Sequence, residues 1–136
     1  MAGYSGTPLI KKLGLKAPLS LLAVDSPPEY TGWLGALPEG VRIISKTNKP
    51  IQAAHVFVTN SSVLRKNLTT FRKQLEQNGF VWVSWPKKAS KVETDITEDT
   101  IRKIALPLGF VDIKVCAVSD VWSGLKLVIR KNERTA

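Results

Sequence analysis

The chain has 136 residues, 43% of them hydrophobic and 23% charged, proportions of a folded globular protein and not of a disordered one. Its length fits one domain, residues 1–136, because a chain of this size buries roughly two-thirds of its unfolded surface around one core. Twenty Lys and Arg against eleven Asp and Glu give a net charge of +9, which favours anionic partners without choosing among nucleic acid, phosphorylated metabolites and acidic proteins.

Apolar runs such as "PLSLLAV" and "FVWVSW" fall far short of the roughly 20 residues needed to cross a bilayer. No membrane span is expected. The opening "MAGYSGTPLIKKLG" lacks the basic start, apolar centre and small-residue cleavage pattern of a secretory signal, so the expected location is the cytoplasm. Cys116 is the one cysteine; it permits no internal disulfide, and its place in "DIKVCAVS" predicts a buried strand thiol.

In chain order, Thr7 is placed to cap a short helix that starts at Pro8 and stops at Gly14. "LSLLAV" (19–24) reads as a strand buried on both faces, followed by the turn "DSPPEY". A turn or two of helix fits "TGWLGALPEG", and "VRIIS" (41–45) is a second, shorter strand. "AAHVFVT" (53–59) is the third, and the "NSS" after it offers helix caps. Leu64, Leu68, Phe71 and Leu75 recur at i, i+4, i+7 and i+11, predicting a helix over 62–77 that Asn78-Gly79 ends. "FVWVSW" is the fourth strand. Thr97 then caps a helix in "TEDTIRKIALPLGF", with Glu98 and Asp99 complementing its N-terminus and Pro107 kinking or ending it. Finally "VDIKVCAV" and "GLKLVIRK" lie so close together that only an antiparallel hairpin can join them. Lys114 and Lys126 interrupt these strands, as expected at a sheet edge, and a homo-oligomer stays open.

Strand, helix and strand in alternation predict a three-layer α/β domain: a mostly parallel sheet, a C-terminal antiparallel hairpin strand, and helices on both faces. The succession "LEQNG", "FVWVSWP", an acid-started helix ending "LGF", and "VDIKVCAV…GLKLVIRK" resembles the C-terminal half of class I S-adenosylmethionine-dependent methyltransferases, over residues 53–131. In "GYSGTPLIKKLGLK", "WVSWPKKAS" and "WSGLKLVIR" the chain is also similar to a small bacterial family built on a domain of unassigned function. The methyltransferase resemblance implies a Rossmann-like fold and a cofactor held by a Gly-rich turn after the first strand, with a carboxylate after the second binding the ribose. The turn here, Val24 to Tyr30, has no glycine and two prolines, and "RIIS" runs into Ser45-Lys46. The expectation is a truncated, degenerate relative with no cofactor and no methyl transfer, since a shared frame does not carry function with it.

Open α/β sheets bind ligands beyond the carboxyl ends of their parallel strands. Four segments are expected to converge there: 25–30, 59–62, 85–90 and 120–124. Lys87 and Lys88 would neutralise a small anionic ligand or partner segment, Trp85 and Trp122 would wall it, and Asp25, Tyr30, Thr59 and Ser61 would supply polar contacts. Unpaired backbone N–H groups at 60–62 would suit an anion. Trp82 reads as core; Trp85 and Trp122 read equally well as core. Ser123-Gly124 fits a plain hairpin turn, and Asp25 with Glu29 is the one carboxylate pair expected in the cleft. His55 in "AAHVFV" reads as a hydrogen-bonded core residue and not a base. No metal-ligand spacing, phosphate-binding loop or nucleophile elbow is present, so no catalytic or metal residue is assigned. Two further functions stay open. Arg65, Lys66, Arg72 and Lys73 lie on one side of the 62–77 helix, where they could track the phosphates of a nucleic acid; the second is a divergent methyltransferase.

Overall fold

Residues 6–134 are described by a computed structural model, and one six-stranded sheet organises them. Strands β1 (Leu19–Val24), β2 (Val41–Ile44), β3 (Ile51–Phe57) and β4 (Leu75–Pro86) run parallel. The hairpin of β5 (Phe110–Ala117) and β6 (Trp122–Ile129) folds back so that β6 lies antiparallel between β4 and β5. The order across the sheet is β2-β1-β3-β4-β6-β5. Because β6 runs against its neighbours, its first residue sits where the parallel strands end: Trp122 is the register partner of Pro86.

Alternation along the strands sends successive side chains to opposite faces. Ala54, Val56, Val81, Val83, Leu125 and Leu127 bury one face against α3 (Ser61–Gln74) and α4 (Glu98–Ala105), through Leu64, Leu68, Phe71, Ile101 and Ile104. Ala53, Phe57 and Trp82 bury the other against α1 (Leu9–Lys12) and α2 (Tyr30–Leu34), through Leu9, Leu13, Tyr30 and Leu34. Full burial of one such leucine stabilises by about 1.5–3 kcal/mol. Helices therefore cover both faces, but on the second face they are only four and five residues long. Trp82 helps fix α1 there by donating its indole N–H to the Leu13 carbonyl at 2.9 Å.

The helix over 62–77 ends early. Leu75 has ψ 135°, belongs to β4 and pairs with Ile51. An apolar residue is buried in either continuation, and the strand adds ladder bonds. Gly79 marks a bulge and not the helix stop: a Cβ there would lie 2.7 Å from both the Gln52 carbonyl and the Leu75 side chain, where the register against β3 shifts. Three smaller expectations also fail. Pro8, not Thr7, occupies the N-cap of α1. Ser123 and Gly124 lie within β6, leaving residues 118–121 as the turn. Lys126 is on an internal strand, so of the two lysines only Lys114 marks an edge. Thr97 does cap α4, its hydroxyl accepting from the Thr100 N–H at 3.2 Å. Among the described residues, no helix is long and apolar enough to cross a membrane.

Candidate functional site

The C-terminal ends of β1, β3 and β4, the start of β6 and the end of β5 share one rim. The turn after β1 holds Asp25, exposed and at φ 56°, in the left-handed region that non-glycine residues seldom adopt. Pro27 and Pro28 follow, and the Tyr30 N–H closes the turn on the Pro27 carbonyl at 3.0 Å. Tyr30 itself is 1% exposed and so is not the ligand contact expected at the rim. Its hydroxyl lies 2.7 Å from His55 Nδ1, and His55 Nε2 lies 2.7 Å from Ser84 Oγ.

This chain of three joins α2, β3 and β4 beneath the rim. Both strand members are fully buried. Burial drives the His55 pKa down to about 3 and raises that of the Tyr30 phenol, so at neutral pH both are uncharged. A neutral imidazole donates through one nitrogen and accepts through the other, and two hydroxyls are the partners that suit either arrangement. Phe57 stacks on His55 with centroids 4.3 Å apart, and Tyr30 and Trp122 meet Phe57 edge-on at 5.1 and 5.2 Å. His55 is thus the hydrogen-bonded core residue that its apolar setting indicates. Ser84 was missed, although it is a polar residue on an otherwise apolar strand.

At the β3–α3 junction the expected free N–H groups are occupied. Asn60 Oδ1 accepts from the N–H of Ser62 at 2.8 Å and of Val63 at 3.3 Å. Asp95 accepts from the Ser61 N–H at 2.8 Å and the Ser61 hydroxyl at 2.9 Å. Protein acceptors have taken the place of an anion. Thr59 is exposed and, with Asn60, Glu93, Thr94 and Asp95, lines an open polar cavity of about 450 Å³. Two carboxylates in that lining favour hydrogen-bond donors over negative charge.

The tryptophans do not face each other. Trp85 is 7% exposed and packs in the core on the α3/α4 side. Trp122 is half-buried against Phe57 on the opposite side. Only Trp122 can wall a rim ligand, because residues 85 and 122 are offset by one in the register and an offset of one reverses the face. The Lys87 N–H donates to the Val121 carbonyl at 2.7 Å, bringing the loop after β4 against the hairpin turn. Lys88 is exposed at the start of a 3₁₀ turn. Asp25, Thr59, Lys87, Lys88 and Trp122 therefore share the rim; Tyr30 and Trp85 lie beneath it, and Ser61 is held by Asp95.

On α3, Arg65, Lys66 and Lys73 are exposed, but Arg72 is half-buried and its Nε donates to the Leu108 carbonyl at 2.9 Å, so it is not part of a free basic stripe. Among the described residues, no three His, Cys, Asp or Glu side chains converge to hold a metal ion.

No family model matches the chain and no curated protein does. Solved structures do. A SAM-dependent methyltransferase from Aquifex aeolicus superposes with a TM-score of 0.60 at 14% identity, over 90% of this chain and 88% of that one. Magnesium protoporphyrin IX methyltransferase from Synechocystis, with bound SAM, gives 0.58 at 12% identity over 90% and 74%. The fibrillarin pre-rRNA processing protein of Methanococcus jannaschii gives 0.53 at 13% over 93% and 75%. The chain has a methyltransferase-like α/β fold. Its rim residues do not fit the cofactor of that fold: the β1 turn has no glycine for close approach, two of its residues lack N–H donors, and exposed Ser45 and Lys46 follow β2.

Proposed function

We propose that this chain is a non-catalytic binding domain on a methyltransferase-like frame, holding a small anionic ligand or an anionic partner segment at the strand-end rim. The observation that carries this reading is the closed turn after β1. Pro27 and Pro28 restrict its backbone, and Tyr30 is anchored beneath it to His55. Lys87 and Lys88 meet the anionic group, Trp122 supplies an apolar wall, and Thr59, Asn60 and Glu93 receive the ligand's donor groups. A thermal-shift screen of small anions tests it. Ligands that stabilise the wild type should lose that effect in the Lys87→Ala, Lys88→Ala double variant, and undiminished stabilisation in the variant would reject the assignment.

A divergent methyltransferase is the second reading. It is favoured by the match to the Aquifex aeolicus enzyme over nearly the full length of both chains. Calorimetry with S-adenosylmethionine separates the two: the closed turn leads to no measurable binding, and a saturating isotherm would establish the second reading instead.

A further inference from the structure

On the α1/α2 side of the sheet Lys114 and Lys126 stand together, and neither is in an ion pair among the described residues. Lys114 and Lys126 are direct register partners, so their side chains leave on one face with Cβ atoms about 5 Å apart. Like charges so placed repel. The flanking pairs on that face, Val111 with Val128 and Cys116 with Gly124, carry no counter-charge. Lys12 reaches over from α1 and donates to the Ala117 carbonyl at 3.3 Å.

Lys126 is the most unusual of the three. Its ammonium lies 4.3 Å from the Phe80 ring centroid and 5.9 Å from that of Trp82. Gly14 roofs it so closely that an added Cβ would sit 3.4 Å from Nζ. Aromatic faces attract the cation but do not replace three hydrogen-bond acceptors. Among the described residues this half-buried ammonium has no hydrogen bond and no ion pair. Burial, and then the nearby Lys114, lower its pKa. The same field acts on Cys116, where Lys12 and Lys114 oppose the upward effect of burial.

We propose that this face is a second site, binding one phosphate group of a small phosphomonoester, with Lys126 and Lys114 in direct contact. A phosphate dianion carries both the negative charge that the Lys114–Lys126 pair lacks and the acceptor oxygens that the Lys126 ammonium is without. The flanking pairs are uncharged, so the face holds one phosphate and not a row of them, which separates it from a nucleic-acid track. No side chain is shared with the rim, and the two proposals stand or fall separately.

The test is titration of the full chain with inorganic phosphate at constant ionic strength, followed by backbone amide shifts. Saturable shifts are expected at residues 112–116 and 124–128. Lys126→Met keeps the stem packed on Phe80, and Lys114→Gln changes only an exposed edge residue, so both variants retain the fold. Each should weaken phosphate binding by roughly tenfold or more, the loss of one charge-assisted contact. Unchanged affinity in both variants, no saturation in the wild type, or shifts confined to the rim would each overturn the proposal. A short single-stranded oligonucleotide forms the second arm. If it binds this face more tightly than phosphate, with a salt dependence that the variants reduce, the site belongs to nucleic acid and the phosphomonoester assignment fails.

Discussion

The two faces of the sheet are covered differently. On the α3/α4 side, helices of fourteen and eight residues close a continuous, mainly aliphatic core. On the α1/α2 side, helices of four and five residues leave room for polar chemistry: Tyr30, His55 and Ser84 in the interior, Lys126 and Lys114 farther out. The long helices close their face mainly with aliphatic side chains and, among the described residues, no buried polar side chain, whereas the layer under the short ones is filled by Tyr30, Phe57 and Trp82 and by paired polar groups. The second face is therefore where substitutions should reveal specific interactions as well as lost volume.

The largest expected effect is at Trp82. Its replacement by alanine removes the biggest buried side chain of that face and the bond that fixes α1, and should lower unfolding stability by about 3–5 kcal/mol in urea titration. A cost under about 1 kcal/mol would mean that α1 is not part of the folded core. His55→Leu comes next. It strands two buried hydroxyls and should cost about 2–4 kcal/mol; a neutral result would show that the three-residue chain contributes nothing.

His55 also sets a pH dependence. Its folded pKa, about 3, lies below the unfolded value of about 6.5, so between them the unfolded state binds the proton. This stability is fully present above pH 6.5 and declines as pH falls toward 3. By pH 5 the wild type should have lost about 2 kcal/mol relative to pH 7 from this group. The same comparison in His55→Leu should lack that component, and an identical loss in both proteins would assign the acid sensitivity elsewhere. The smallest effect is at the rim. Asp95→Ala removes the acceptor of Ser61 and should cost about 1 kcal/mol, as lost helix caps do.

Local signals in the sequence located most elements. Asn60 and Thr97 cap the helices they precede, and the hairpin follows from its short connection. Leu75 was misread because an apolar residue satisfies a helical face and a strand equally well. Trp85 was wrongly set beside Trp122 for a different reason. Alternation orders the faces within one strand, but only the pairing of Pro86 with Trp122 relates one strand to another. The candidate site was legible to a smaller extent still. Asn60 reaches its own helix, while Asp95 reaches Ser61 from 34 residues away, and the hydroxyl partners of His55 lie on two other elements. Such pairings depend on tertiary geometry and leave no periodicity to read.

The placement of β6 inside the sheet has a consequence for synthesis. β4 lies beside β3 but receives its other neighbour only once residues 122–129 have left the ribosome. Until then the nascent chain presents a long, tryptophan-bearing strand with one row of amides unmatched, the kind of surface that recruits other strands. The late hairpin therefore acts as a zip fastener, converting an adhesive intermediate into a sheet whose outer border is β5, with Lys114 on guard.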